Sequence, residues 1–178
     1  MTTTTFAPTE ELLSTDPQAA GRALHDVGSD LDLALEELRA LAHGIYPSAL
    51  ADYGLEAALR GLALSSALPV RVTSRFLRRH ALEIESALYF TCLEALQNAI
   101  KHAEGASGVW ISLRQNRALA LEVRDDGAGF VPQPRPFGRG LGNMADRMEA
   151  VGGRLTIDSE PGHGTCLVAT VPVGAGVT

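Results

Sequence analysis

The sequence predicts an α+β fold, a two-layer sandwich in which helices cover one face of a mixed β-sheet and a long helix comes first. Three observations predict it. The stretch VRVTSRF at 70–76 alternates apolar and polar residues, as in a strand with one buried face. A long helical pattern covers roughly 81–103. Two pairs of strand patterns follow, one near 108–114 and 118–125 and the other near 153–158 and 164–172. Within each pair, a short turn joins the two strands. Helices that alternate with hairpin-connected strands are typical of such a sandwich.

The composition is typical of a soluble globular protein. The 178 residues suffice for one domain with a real core, and 46% of them are hydrophobic while 20% are charged. The net charge of −6 argues against general nucleic-acid binding. No apolar run approaches the roughly 20 residues that span a bilayer, and no signal peptide opens the chain. We therefore expect a cytoplasmic location and no membrane contact by this segment.

Cysteine and histidine give no sign of a metal site made entirely of protein side chains. Cys92 and Cys166 stand in apolar surroundings without a C-x-x-C unit, which predicts a buried, reduced pair. The five histidines include no H-x-x-x-H spacing.

The N-terminal part of the chain predicts a helix that needs a partner. Residues 1–16 are threonine-rich and aperiodic, so we expect a flexible leader there. A heptad stripe runs along 17–43, formed by Leu24, Leu31 and Leu38. Such a stripe packs along a second helix, from this chain or from a second copy. Pro47 breaks this helix, and a shorter helix is predicted at about 53–64.

The stretch LEALQNAIKHA, residues 93–103, combines an apolar and a polar helix face. Glu94, Asn98 and Lys101 fall within about 60° of one another on a helical wheel, and His102 lies at the edge of that sector. Taken alone, this is best explained as a solvated face. However, Lys101 is the only lysine in the chain, and its compact charge suits a phosphate.

Three glycine-rich segments follow that helix. DDGAGF begins at Asp125, which can accept a hydrogen bond from a ligand amine, while Gly127 and Gly129 allow close backbone approach. GRGLGN at 138–143 opens a helix predicted at about 141–151, where backbone amides favour an anion, and the pair Gly152–Gly153 should end that helix. GHGT at 162–165 precedes the last strand. DDGAGF and GHGT are each also compatible with an ordinary turn, and neither a dinucleotide-binding fingerprint nor a P-loop is present.

In their order, the four motifs resemble the GHKL ATPase superfamily. N-x-x-K-H-A, D-x-G-x-G, G-x-G-L-G-N and G-x-G-T resemble its N, G1, G2 and G3 boxes. This superfamily holds sensor histidine kinases, DNA gyrase B, mismatch-repair ATPases and anti-sigma-factor kinases. The resemblance implies a Bergerat-type fold. LRALAHGIYPSALADYGLEAAL at 38–59 and GLGNMADRMEAVGG at 140–153 resemble the nitrate-sensor and DesK-like histidine kinases.

The resemblance implies a role for each motif, with ATP and Mg²⁺ as cofactors. Asp125 would bind the adenine amino group, and Gly127 and Gly129 would shape the base pocket. Asn98 would hold the Mg²⁺ ion through its side-chain oxygen. Glu94 would be catalytic, by polarising the attacking group or orienting the water shell of the metal, and Lys101 would be catalytic at the phosphates. Further nucleotide contacts would come from His102, Gly138, Gly140, Leu141, Gly142 and Thr165. Residues 131–139 would form a lid that orders on ATP binding.

By the same resemblance, the chain is the ATP-binding catalytic portion of a sensor histidine kinase in a two-component system. The leader 1–16 would be followed by a dimerisation-type helix and linker at 17–50, a catalytic domain at 51–173 and a tail at 174–178. Its partners would be ATP, a response regulator, and dimerisation helices of the same kinase or a second copy. The segment could be the cytoplasmic part of a larger membrane-bound sensor.

The phosphoacceptor departs from the family pattern. His25–Asp26 matches the H-D dipeptide of family kinases, but His25 lies only 19 residues before Gly44, which leaves room for one helix and not for a hairpin of two. We therefore interpret 18–43 as the second dimerisation helix and do not expect this chain alone to phosphorylate itself. The alternative is that His25 is the acceptor in a shortened arrangement.

Two other functions fit the motifs. One is a serine kinase of the anti-sigma-factor type, which the heptad helix and the G-I-Y-P linker disfavour. The other is a non-catalytic interaction module gated by ATP. The phosphorylated product distinguishes the three functions. A histidine kinase gives acid-labile phosphohistidine, a serine kinase gives acid-stable phosphoserine, and a non-catalytic module gives neither.

Overall fold

The computed structural model describes residues 18, 20, 21, 28, 48–75, 78–132 and 139–173. The chain divides into two compact units, Met1–Tyr46 and Pro47–Thr178, and nearly all described residues belong to the second. Gln18, Ala20, Gly21 and Gly28 are helical. The rest of the predicted heptad helix, with His25, lies outside the described residues, as do the leader, the tail and positions 133–138.

Four helices and five strands make up the described part of the second unit. The helices are α1 (Ser48–Tyr53), α2 (Leu55–Leu64), α3 (Leu82–His102) and α4 (Arg139–Ala150). The strands are β1 (Val70–Arg75), β2 (Val109–Gln115), β3 (Ala118–Asp125), β4 (Arg154–Ser159) and β5 (Thr165–Pro172). All five predicted strands, the helix predicted at 81–103 and the helix that GRGLGN opens are present, because each carries its own strong periodicity.

The strands form one mixed sheet in the order β1-β2-β3-β5-β4. β1 runs parallel to β2, and all other neighbours are antiparallel. The parallel pair requires a crossover, which α3 supplies between β1 and β2. The hairpins β2–β3 and β4–β5 need only short turns. This arrangement confirms the predicted mixed sheet.

One face of the sheet is buried under the helices. Along β3, the buried residues are Leu119, Leu121, Val123 and Asp125, which alternate with more exposed neighbours. β2 alternates in the same way, with Val109, Ile111 and Leu113 buried and Trp110 and Arg114 exposed. Successive side chains of a strand point to opposite faces, so a period of two gives one core face and one outer face. Helices on one face of the sheet are therefore confirmed.

The helix predicted at 53–64 corresponds to α2, and a further short helix, α1, precedes it. Gly54 separates α1 from α2 and has a φ of +85°, a conformation that costs glycine little. A side chain there would collide with Arg79, because a Cβ would lie 2.9 Å from its Cδ. The prediction missed α1 because it took Pro47 only as a break. A proline just before a helix is also compatible with a helix start.

An ion pair between Arg79 and the buried Glu85 connects α1 to the beginning of α3. Glu85 is only 1% exposed and accepts hydrogen bonds from the Nε of Arg79 at 3.1 Å and from the backbone N–H of His80 at 2.9 Å. The Nη2 of Arg79 donates to the carbonyl oxygens of Leu50 at 3.2 Å and Ala51 at 3.1 Å. One guanidinium thus joins the carbonyl groups of α1 to the carboxylate of α3.

Helix α4 ends as the sequence predicted, at a pair of glycines. The N–H of Gly153 donates to the carbonyl oxygen of Met148 at 2.8 Å, and that of Gly152 to Glu149 at 2.9 Å. Gly152 has a φ of +69°. This is the Schellman arrangement, which satisfies carbonyl groups at a helix C-terminus.

Candidate functional site

The polar sector of α3 is not a solvated face. Glu94 is only 9% exposed, and Asn98 and Lys101 are half-buried, while His102 is exposed. Ile100 lies on the apolar side of the same helical wheel, opposite Asn98, yet it is 44% exposed. The wheel was wrong here because α4 packs beside Glu94 while the sheet covers another side of α3. The buried sector therefore extends towards Glu94 and leaves Ile100 outside.

The beginning of α4 lies directly against this sector. A Cβ on Gly140 would come within 2.5 Å of Glu94 Oε1 and 3.9 Å of Asn98 Nδ2. Gly140 therefore lies directly beside Glu94, and Asn98 is close by. Leu141 and Gly142 follow and are half-buried. A Cβ on Gly142 would meet nothing within 4 Å, so packing does not require glycine there. Gly138 lies outside the described residues.

The first turn of α4 supplies anion-binding groups at this place. The leading N–H groups of a helix have no partner within the helix, and the helix dipole makes that end positive. Here that end adjoins Glu94 and Asn98. A phosphate bound at the helix N-terminus would therefore lie near the oxygens of α3.

Asp125 ends β3 on the buried side of the sheet. It is 7% exposed and pairs across the sheet with Val109. Its Oδ1 accepts a hydrogen bond from the N–H of Gly127 at 3.0 Å, which fixes the carboxylate. A carboxylate has about four acceptor positions, so capacity remains for a ligand donor.

The glycines after Asp125 are required by backbone contacts. A Cβ on Gly127 would lie 2.5 Å from the Cβ of Ala103, just beyond α3. Gly129 has a φ of +60°, and a side chain there would collide with the carbonyl oxygens of Glu160 and Gly164. A side chain on Gly164 would in turn collide with the carbonyl oxygen of Asp125. The second and fourth motifs therefore pack backbone against backbone.

Ser159 joins these two loops, and the sequence analysis missed it. Its Oγ accepts a hydrogen bond from the N–H of Phe130 at 2.9 Å, donates to the carbonyl oxygen of Gly164 at 2.9 Å and lies 3.1 Å from Thr165 Oγ1. Thr165, a predicted nucleotide contact, is thus held by the same hydroxyl. The available signal was a serine directly after a predicted strand and two residues before the turn PGHG.

Asp126, the neighbour of Asp125, has a different task. Its carboxylate accepts from the N–H of Ser107 at 2.8 Å, from the hydroxyl of Ser107 at 2.6 Å and from the N–H of Gly108 at 3.4 Å. These bonds stabilise the charged form and lower the pKa of Asp126, the side-chain bond from Ser107 contributing most. Asp126 fastens the loop before β2 to the end of β3.

The two cysteines differ in burial. Cys92 is fully buried in α3, and burial raises the pKa of its thiol to about 12. Cys166 is half-buried on β5, and its pKa is raised chiefly by burial. Both are free thiols. The predicted reduced state agrees with this, whereas full burial is correct only for Cys92.

The described residues suit a metal ion that is coordinated partly by protein oxygens and partly by phosphate oxygens. They contain no group of three or more His, Cys, Asp and Glu side chains that could hold an ion. Asn98 and Glu94 instead bring an amide and a carboxylate to one surface, beside the N-terminus of α4. Mg²⁺ is held by one or two protein oxygens together with phosphates and waters, so this donor set fits it.

A carboxylate at the end of a central strand, with glycine loops and a helix N-terminus around one helical surface, defines a class of nucleotide-binding ATPase domains. The chain belongs to the histidine kinase-, DNA gyrase B-, and HSP90-like ATPase family, whose pattern matches residues 83–175. The matched range includes each of the four motifs. The resemblance to the GHKL superfamily is thereby confirmed.

Known relatives are sensor kinases. An uncharacterized sensor-like histidine kinase of Chloroflexus aurantiacus is 32% identical over 179 residues, covering 92% of this chain and 30% of the relative. The oxygen sensor histidine kinase NreB of Staphylococcus carnosus is 35% identical over 147 residues, covering 78% and 42%. The chain therefore spans less than half the length of either relative. The ATP binding domain of PrrB from Mycobacterium tuberculosis is similar in structure, with a TM-score of 0.52, 27% identity and coverage of 68% of this chain and 92% of that one.

No described helix has the length and apolar character needed to cross a bilayer.

Proposed function

We propose that this chain is the ATP-binding catalytic portion of a sensor histidine kinase, which transfers the γ-phosphoryl group of Mg-ATP to a histidine for relay to a response-regulator aspartate. The observation that carries the proposal is the close approach of Gly140, in the first turn of α4, to Glu94, with Asn98 nearby. It joins an anion-binding helix end to the oxygens of α3. The names of the relatives support the same function.

At the base end, Asp125 accepts a hydrogen bond from the adenine amino group. Its fixed geometry supports this role, because the N–H of Gly127 holds one oxygen and leaves acceptor capacity on the carboxylate. Gly127 and Gly129 keep the loop in contact with Ala103 and with the turn after β4. Thr165, held through Ser159, lies beside the nucleotide.

At the phosphate end, Asn98 would hold Mg²⁺ through its side-chain oxygen, and the ion would neutralise charge on the triphosphate. Lys101 and His102 follow Asn98 on the same helix and bind phosphate oxygens. Gly140, Leu141 and Gly142 bring the amides of α4 to the phosphates. Gly138 and most of the predicted lid lie outside the described residues, and their role stays a prediction.

Transfer requires little covalent work from the protein. An imidazole nitrogen of the acceptor attacks the γ-phosphorus, a nitrogen–phosphorus bond forms, and the bond to the leaving oxygen of ADP breaks. Glu94 polarises the acceptor or orients water at the metal. Its burial strengthens that effect, because a carboxylate acts more strongly where water is excluded. Positioning and charge neutralisation supply most of the rate enhancement.

The same resemblance assigns the chain to the nitrate-sensor and DesK-like kinases and to the cytoplasmic part of a larger sensor. The motif GLGNMADRMEAVGG supports the subgroup: Gly140, Gly142 and Arg147 lie in α4, and the glycine pair at 152–153 ends that helix. Arg147 lies over the ring of Phe90 at 5.8 Å from the centroid, a cation–π contact between α4 and α3.

The test is a comparison of Asp125→Asn with Asp126→Asn. We expect the first to abolish most ATP binding, because an amide replaces the acceptor for the adenine amino group. The second removes a charge one residue away, where the hydrogen bonds lead to Ser107 and Gly108, and should leave ATP affinity within about twofold. Titration calorimetry with ATP measures both. Unchanged affinity in Asp125→Asn would contradict the assignment of the pocket.

A further inference from the structure

The outer face of the sheet, on the side away from α3, is rich in arginine. We call it the open face and define it by its exposed residues Arg71, Arg75, Trp110, Arg114, Arg124 and Arg154. They occupy strands β1 to β4, so the open face extends across the sheet. Alternation along β3 separates this face from the nucleotide pocket, because Arg124 and Asp125 are successive residues and point to opposite sides.

The strand register brings these side chains into two rows. Arg71 pairs with Trp110, and Trp110 pairs with Arg124, so two arginines flank the tryptophan. Four residues further along β1, Arg75 pairs with Arg114. Like charges on directly paired positions repel each other. Glu122 offsets the charge of Arg114, whereas a bound carboxylate would offset that of Arg75.

The positive charge of the open face is local. Its five arginines are accompanied by two carboxylates on the same face, Glu122 and Asp158, which leaves an excess of three positive charges. Residues 47–178 as a whole contain 13 basic and 13 acidic side chains, so they are neutral. The net charge of −6 thus comes entirely from residues 1–46. Residues 47–178 therefore have no net charge overall, but their open face carries an excess of positive charge.

Most of these guanidinium groups are available for a partner. Arg114 donates to Glu122 through Nη2 at 2.7 Å. In the part of the chain that the structure describes, no carboxylate lies within ion-pairing distance of the other four arginines of the open face. Arginine binds carboxylates in a bidentate manner. A shallow cavity of about 390 Å³ between β1 and β2, lined in part by Thr73 and Ser112, can receive a side chain.

We propose that the open face is a docking surface for an acidic protein. Its arginines would bind aspartate and glutamate side chains, and Trp110, which is 39% exposed, would be covered by an apolar contact. Tryptophan and arginine are the residue types that contribute most to protein–protein affinity. The mixture of signs, with Glu122 and Asp158 between the arginines, fits a patterned protein surface. An anionic bilayer would favour uniformly basic side chains and more inserted apolar groups.

Trp110 reports directly on this surface, because it is the only tryptophan in the chain. Poly-L-glutamate serves as the probe, and the emission of Trp110 is followed at low and at physiological ionic strength. We expect a saturable shift of the emission that weakens as salt is added. The variant that combines Arg71→Glu with Arg124→Glu should lose roughly tenfold or more of the affinity.

Arg117→Glu is the matched control, because it reverses the charge of an exposed arginine in the β2–β3 turn, outside the open face. It should bind poly-L-glutamate like the unaltered protein. Melting temperature and ATP affinity should be equal in all three proteins, which separates this proposal from the proposed kinase function. Equal loss in Arg117→Glu would overturn the proposal. So would tighter binding to phosphatidylserine vesicles or a DNA duplex, or a change in emission on concentrating the protein alone, which would assign the face to a second copy.

Discussion

Glu94 shows how strongly a neighbouring element can alter the environment of one residue. On the helical wheel it belongs to a polar sector, yet it is 9% exposed and faces Gly140 of α4. Burying a carboxylate is costly unless nearby groups compensate, so a residue retained there has a purpose beyond solubility. Its place beside Asn98 and a helix N-terminus agrees with the role in phosphoryl transfer that we propose for it.

A variant of Asn98 distinguishes binding of the metal from binding of the nucleotide, because Asn98 is the proposed metal ligand. In Asn98→Ala the amide oxygen offered to Mg²⁺ is removed, while the acceptor for the base at Asp125 is unchanged. We expect ATP affinity to fall by roughly tenfold or more with Mg²⁺ present, and much less with EDTA. Calorimetry under both conditions measures the difference.

Asn116→Ala, in the exposed β2–β3 turn, is the control for the loss of an asparagine amide. It should leave ATP binding unchanged under both conditions. If Asn98→Ala loses the same factor with and without the metal, Asn98 is not a metal ligand.

Among the elements, α3 connects the whole site and is held at both ends. At its beginning, Glu85 binds Arg79, which also holds the carbonyl oxygens of α1. Just after its end, Ala103 touches Gly127 of the loop that follows β3. Between them, Glu94 meets the first turn of α4. A displacement of α3 would therefore change the base end and the phosphate end together.

The ion pair at the beginning of α3 gives a stability prediction. Arg79→Ala leaves Glu85 with the backbone N–H of His80 but without its guanidinium partner. We expect a loss of about 1–3 kcal/mol in the free energy of unfolding, the cost of an undercompensated buried acceptor. The half-exposed side chain of Arg79 keeps the loss below that of a fully buried pair.

Urea unfolding measures this as a lower midpoint with an unchanged slope. The neighbouring Arg78→Ala is the control, because Arg78 is exposed and contributes its backbone N–H, not its guanidinium, to the bond with Gln115. It should change stability by no more than about 0.5 kcal/mol. A similar loss of stability in both variants would show that the positive charge of this loop stabilises the protein, and not the ion pair between Arg79 and Glu85.

The whole molecule consists of two compact units, and the described site lies in the second. The proposed phosphoryl transfer thus needs an acceptor that the described residues of this unit are not expected to supply. We predict that the protein mixed with γ-labelled ATP and a separate dimerisation domain transfers an acid-labile label to that domain. The chain alone should retain little label.

Comparison with His25→Ala tests the alternative acceptor. Label on the unaltered chain that disappears in His25→Ala would contradict our interpretation and identify His25 as the acceptor. Acid-stable label on a serine would instead indicate a kinase of the anti-sigma-factor type.

The order of elements was predictable because each strand and helix carries its own periodicity. The bounds of all five strands and of α3 and α4 agree with the prediction within about two residues, the usual uncertainty of such boundaries. The exception was α1, between Pro47 and Gly54, because a proline and a glycine at these positions are compatible with either a loop or a short helix. The four motifs of the site could also be found from the sequence, since each lies within a few consecutive residues.

The sequence by itself thus determined the type and order of the elements, the family, and the residues with the right chemistry for a nucleotide. Only the tertiary structure decided that Glu94 is buried, that Ser159 joins two loops, and that arginines from separate strands share one face. The physical reason is range. Periodicity and turn chemistry act over neighbouring residues, whereas burial and charge clustering depend on strand register and helix packing between residues far apart in the chain.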